Sequence, residues 1–451
     1  MRAGAFVYPW DVVGDPDAPG RLAALGVQQV TLASAYHSVR ALTPRHPRHR
    51  VVTARHSAVL YPPRTENWRG RGLRPYEQGW VNSDHPGGAY GEAARALSEA
   101  GLEVHSWVVL AHNSRLGEEH GHVTVRNAYG DRYPWAPCIA RPEVREYAVT
   151  LAGEAAVRPH TSGTELESCG WYGWPHLSAH DKTAGVRLDG AAQYLMSLCF
   201  CEVCRDGYTS LGAGPDELRA RVAAALEPVW NGEAPAAATE TDAAGGAREA
   251  EWARVRELLG DDSAAVCASW RGEAARRLRR EAVAAVRSAA ADRAGAGQDP
   301  GRESGGDSGQ GFRVLLHADP AAHRVGANAG IAPAEAVEDA DGVVVPCTGG
   351  AAERTGALGP FGPYAARGHG HEGAGGDAGA RAFTVAANFT VVSGMGGSPH
   401  TLAADAAHAR ALGADELRLY HAGPAPESDL SAVAEALRGL AADAGSGNPP
   451  G

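Results

Sequence analysis

The chain has 451 residues, 44% of them hydrophobic, and a formal net charge of −11. That length suits one large domain with insertions, or two domains, and the absence of a basic stripe interleaved with aromatics argues against a nucleic-acid surface. No run of about 18 apolar residues exists to span a bilayer, and Met1 leads into a strand without a signal-peptide pattern, so a cytoplasmic protein with reduced thiols is expected.

Short apolar runs alternate with amphipathic ones along the chain. A first strand is predicted at 4–10, a helix near 19–25 and a second strand at 29–35. Residues 36–88 form a long segment rich in Pro, Arg and His, whose aromatics and histidines (His37, His56, Tyr61, Trp68, Trp80) predict an ordered loop. A helix at 90–100 stops at Gly101, and a strand follows at 103–111. Another long loop ends at Cys138, and Pro142 opens a helix to about 157. The next strand is 163–168. An aromatic loop holding Trp171, Tyr172, Trp174 and His176 follows, then a helix from about 190 that carries three cysteines at its end.

Residues 206–310 read as a helical insertion, with helices at 216–229 and 248–291. The Ala/Gly-rich stretches at 232–247 and 295–310 should be loose within it. The alternation then resumes: strands at 312–317, 342–346, 382–389 and 416–420, and helices at 332–339, 401–412 and 429–441, before a loose tail at 445–451. Eight strands, mostly followed by helices, predict a (β/α)8 barrel with its first half at 1–205 and its second at 311–444. No G-x-G-x-x-G follows the first strand, which weighs against an open dinucleotide-binding sheet.

The three thiols of Cys199, Cys201 and Cys204 lie within six residues. They cannot all point into one core, and such thiolates converge on a soft ion, most often zinc, that takes four ligands. Cys138 is the candidate fourth ligand. The alternatives are a disulfide or plain packing.

Working residues of a barrel lie at the C-terminal ends of its strands. Those ends hold Trp10 and Asp11, Tyr36 and His37, His112 and Asn113, His317 and Asp319, Asn388, and Tyr420. In the fourth strand, Glu165 and Glu167 flank Leu166, so side-chain alternation sends both carboxylates inward. Glu165, lower down, reads as a structural acid held by Arg or His or as part of the site. Glu167, nearer the mouth, reads as a general acid raised by aromatic walls. His176, His180 and Asp181 offer a metal site, substrate contacts or plain loop structure.

Two stretches resemble one family. Cys199-Phe200-Cys201-Glu202-Val203-Cys204 is similar to the C-[YF]-C-x-x-C of the zinc-containing bacterial β-galactosidases of glycoside hydrolase family 42. Cys138, four residues before Pro142, with Arg145 three after it, resembles a second segment of that family. The resemblance implies a structural zinc on Cys138, Cys199, Cys201 and Cys204, and places Glu167 where the family carries its acid/base glutamate. The pattern departs at Leu166, where the family has Asn, and no Glu ends the last three strands. Asp319 or Asp11 would then act as base or nucleophile. Trp10, Tyr36, Trp171 and Trp174 would stack on sugar rings, with His37, His112, Asn113, Glu165, His176, His317, Asn388 and Tyr420 lining the site. The expected partner is a carbohydrate, acted on by hydrolysis, in a chain able to form a homo-oligomer. The alternatives are a non-hydrolytic carbohydrate-binding barrel, and a metal-dependent sugar isomerase or lyase using Glu167, His176, His180 and His317.

Overall fold

The computed structural model describes residues 1–78, 83–175, 181–233, 246–296, 311–365 and 382–445. Eight strands form its centre: β1 Arg2–Val7, β2 Gln29–Tyr36, β3 Glu103–Val109, β4 Gly163–Glu167, β5 Arg313–Asp319, β6 Gly342–Pro346, β7 Thr384–Thr390 and β8 Glu416–Tyr420. Each pairs in parallel with the next, and β8 returns to β1, which closes the barrel. The chain is therefore a (β/α)8 barrel. Its strands are buried almost end to end, as parallel strands covered on both faces must be. Among the described residues no helix is long and apolar enough to cross a membrane.

Between β4 and β5 run helices Gly190–Met196, Glu202–Ser210, Pro215–Trp230, Gly246–Leu259 and Asp261–Gly295. The last packs against helix Pro142–Ala156, where a Cβ on Gly153 would lie 3.4 Å from the Ala285 carbonyl. It also reaches helix Pro333–Asp339, where Asp339 pairs with Arg279 at 3.1 Å and Arg280 at 2.8 Å. The long helix thus lies against the helices that follow β3 and β5. Gly260, with φ of 77°, splits the run read as continuous from 248 to 291. The three cysteines do not end a helix: helix Gly190–Met196 stops at Ser197, and Cys201 caps the next one.

Gly207 packs that next helix closely, because a Cβ there would stand 2.3 Å from the Trp270 ring. Helix Ala351–Leu358, within a Gly-rich stretch, was not foreseen. The segment after β2 is ordered as expected over 36–78: it forms hairpin Val39–Leu42/Val51–Ala54, and it buries Trp68, whose Nε1 donates to Glu154 at 2.5 Å. Trp80, His176, His180, residues 234–245 and 297–310, and the tail from 446 lie outside the described residues, so most of the two stretches read as loose is not described.

Candidate active site

The barrel interior begins with an ion network. Arg418, on β8, donates through Nε to Glu165 Oε1 at 2.7 Å, and Gln29 and Thr31 donate to the same oxygen at 3.1 Å each. Arg418 fits inside the barrel because β1 carries Gly4 at that level, where a Cβ would lie 3.2 Å from the arginine. Burial alone would raise the Glu165 carboxyl. The charge of Arg418, with His105 and His317, overcomes it and holds Glu165 well below the usual carboxylate range. Glu165 is thus a buried, ion-paired acid at the floor of the interior.

Glu167 sits one layer higher and is treated differently. Among the described residues no arginine forms an ion pair with it. Its Oε2 accepts from Trp107 Nε1 at 2.8 Å and lies 4.0 Å from His317 Nδ1. Burial pushes its carboxyl up to about 7, against the pull of the Trp107 bond. His317, buried between the two carboxylates, is pushed down to about 4. One carboxylate is therefore fixed as an anion and its neighbour two residues on is kept protonated near neutrality. Such a pair of opposed environments separates structural acids from proton donors.

Above Glu167 the mouth is walled by phenols and imidazoles. Tyr36 packs edge-on against Trp107 at 4.6 Å between ring centroids, and Tyr420 packs against the same indole at 5.6 Å. The Tyr8 hydroxyl lies 3.1 Å from that of Tyr36 and 3.0 Å from His421 Nδ1. His112 stacks on Tyr172 at 4.1 Å, and His37 on Tyr36 at 4.0 Å. Ser168 and His421, which follow β4 and β8, hold left-handed backbones with φ of 56° and 62°. Non-glycine residues persist in that region where the surroundings force them, typically at functional sites.

The structure brings Tyr36, His37, His112, Glu165, Glu167, His317 and Tyr420 to this mouth and its floor, and Asn388 faces the interior of β7 at the level of Arg418. It takes other candidates elsewhere. Trp10 is buried flat against Tyr8 at 4.4 Å. Trp171 faces the long helix, donating to the Arg271 carbonyl at 3.0 Å. Trp174 packs by Trp135 and Tyr133. Asn113 caps helix Ser114–Glu119 through a 3.0 Å bond from Leu116 N–H. Asp319 is gripped by Arg248, with contacts of 2.9 to 3.2 Å. Asp11 accepts from Tyr8 N–H at 2.9 Å, and burial pushes its carboxyl up to about 7 against the pull of that bond and of the Arg45 charge. Trp107 was not among the candidates, and Tyr8 and His421 stood out only as residues at strand ends. The His105-x-Trp107 alternation in β3 was the available signal, since it puts the indole on the interior face.

The four cysteines form a second cluster. Cys138, Cys199, Cys201 and Cys204 are all buried, with sulfur atoms within 4.8 Å of one another, and Cys138 Sγ lies 3.7 Å from those of Cys201 and Cys204. Ligands about 2.3 Å from a tetrahedral ion stand about 3.8 Å apart, so the spacing fits a metal ion. Backbone N–H groups of Arg126 and Cys201 point at Cys199 Sγ at 3.5 Å, and the Arg141 guanidinium feels the charge of Cys201. These groups suit a cluster carrying net negative charge.

No family model matches the sequence, and no curated protein matches it. Solved structures do. The α-L-fucosidase isoenzyme 2 from Paenibacillus thiaminolyticus superposes with a TM-score of 0.52 at 12% identity, over 98% of this chain and 50% of its own. A β-galactosidase from Marinomonas ef1 gives 0.49 at 11%, over 99% and 60%. A GH42 β-galactosidase from G. stearothermophilus gives 0.47 at 11%, over 100% and 58%. This chain spans about half the length of the first and less than two thirds of the others. At such identities the likeness is one of fold alone, that of a (β/α)8 barrel.

Proposed function

We propose that the barrel acts on a carbohydrate as a glycoside hydrolase, with Glu167 as the general acid. The observation that carries this reading is the state of Glu167: a buried carboxyl at the C-terminal mouth, oriented by Trp107 and raised to about 7. A group that is protonated near neutrality and poised to give its proton up is what a glycosidic leaving oxygen requires. The surrounding phenols, imidazoles and indole suit a ligand with many hydroxyls and apolar ring faces. The four cysteines would hold one structural zinc, which supplies folding energy and no catalytic step.

A non-hydrolytic sugar-binding barrel is the second reading, favoured by the engagement of Asp11 and Asp319 with their own partners. A metal-dependent isomerase or lyase has less support. His176 and His180 lie outside the described residues, and among the described ones the four cysteines are the one group placed to hold a metal.

Turnover across a panel of aryl glycosides, with sugar binding measured beside it, separates the two main readings. Hydrolysis by the wild type that falls in Glu167→Gln supports the first. Binding without turnover in either protein replaces it with the second.

A further inference from the structure

An inverting hydrolase needs a general base opposite its acid; Asp319 is held by Arg248, and Asp11 accepts from the Tyr8 N–H. The mouth offers something else. Tyr36 and Glu167 flank one indole: the Tyr36 ring packs on Trp107, and Trp107 Nε1 donates to Glu167. From Tyr36 a hydrogen-bonded line runs back through the Tyr8 hydroxyl to His421 Nδ1, at 3.1 and 3.0 Å. His421 is half-buried at the mouth, and its ring packs on Tyr420 at 3.8 Å, tilted by 41°. In the structure the Tyr8 hydroxyl donates to Tyr36; a hydroxyl has one proton and two lone pairs, so with Nδ1 unprotonated both phenols can turn to donate toward the histidine.

We propose that Tyr36, backed by Tyr8 and His421, is the general base of this site and that the reaction inverts the anomeric carbon; the proposal rests on the hydrolase reading. Water attacks the anomeric carbon and gives a proton to the Tyr36 oxygen. The Tyr36 proton passes to Tyr8, and that of Tyr8 to His421 Nδ1. The bond to the leaving oxygen breaks as Glu167 protonates it. Histidinium then releases its proton to solvent and Glu167 regains one, so the sum is the addition of one water. Tyr36 is the catalytic residue, and Tyr8 and His421 position and relay.

Burial raises both phenols, Tyr8 well above the usual range, so neither collects charge by itself. The line must end on a base. Burial, with His37 beside it, lowers His421 to about 4, which makes it neutral at working pH and about as basic as the carboxylate of an ordinary inverting enzyme. The groups facing His421 are Tyr8 just after β1, Trp107 from β3, Tyr420 from β8 and His37. Those facing Glu167 are Trp107, His317, Tyr36, Tyr172 and Tyr420.

The test uses an aryl glycoside that the wild type cleaves. Tyr36→Phe keeps the ring and its packing, and should lower kcat by about 10²–10⁴-fold with KM little changed. The profile of kcat/KM against pH should be a bell with limbs near 4 and 7. His421→Gln should remove the acid limb and leave the alkaline one, which a merely structural histidine would not do. Proton NMR of the first-formed sugar should show the inverted anomer. Undiminished turnover in Tyr36→Phe, an unmoved acid limb or a retained anomer overturns the base alone. No turnover by the wild type on the whole panel overturns the hydrolase reading and the base with it.

Discussion

At the scale of the residue, Glu165 and Glu167 stand two positions apart on one strand and reach opposite states. Arg418 makes the difference, because it forms an ion pair with Glu165 and none with Glu167. Arg418→Gln would leave Glu165 buried without its cation, and breaking a buried pair costs about 3–5 kcal/mol; urea unfolding at pH 7 measures it. Glu167 gives the reverse sign. Its folded-state carboxyl, at about 7, lies above the ordinary 4.5, so its contribution is fully present below about pH 4.5 and is lost as pH rises through 7. Glu167→Gln should therefore be more stable than the wild type at pH 8, by on the order of 3 kcal/mol, and equal to it near pH 4. Equal stabilities at both pH values would contradict the protonated state. The period of two in a strand made the inward direction of both acids legible in the sequence. Trp107 was not, because an indole inside an apolar strand reads as core until its Nε1 is seen to meet a carboxylate.

At the scale of the element, the strands were legible because apolar runs of five to eight residues bounded by Gly, Pro or polar turns have few other fates. Helix breaks were less so. The apolar period continues across Gly260, and only its left-handed backbone divides the two helices. The cysteine triplet looked like a helix end, yet Cys199 sits in the link and Cys201 begins the next helix, so the cluster staples a helix junction to the strand end at Cys138. Purified protein should carry close to one zinc per chain. Cys201→Ser, or a strong chelator, should lower Tm, because metal binding is coupled to folding. Elemental analysis that finds no metal in reduced protein would remove the zinc.

At the scale of the whole molecule, the order of eight strands announced the barrel, but the role of the helices between β4 and β5 came only with the packing. Composition could not show that the long helix lies against helix Pro142–Ala156 and reaches helix Pro333–Asp339, since such pairings join residues more than 50 positions apart. Because that helix lies against both, the described helices and barrel should unfold together. Urea transitions followed by tryptophan fluorescence and by far-UV circular dichroism should coincide. A separate early loss of helix would make 206–310 an independent unit.

The central claim is that Glu167 hands a proton to a glycosidic oxygen. The most direct measurement is kcat of wild type and Glu167→Gln over a series of aryl glycosides whose leaving phenols span a wide range of pKa. The account predicts that the mutant's loss grows with leaving-group pKa, reaching about 10²–10⁴-fold for the poorest leaving groups and shrinking toward none for the best. A loss that is the same for every leaving group, or no loss at all, would contradict it.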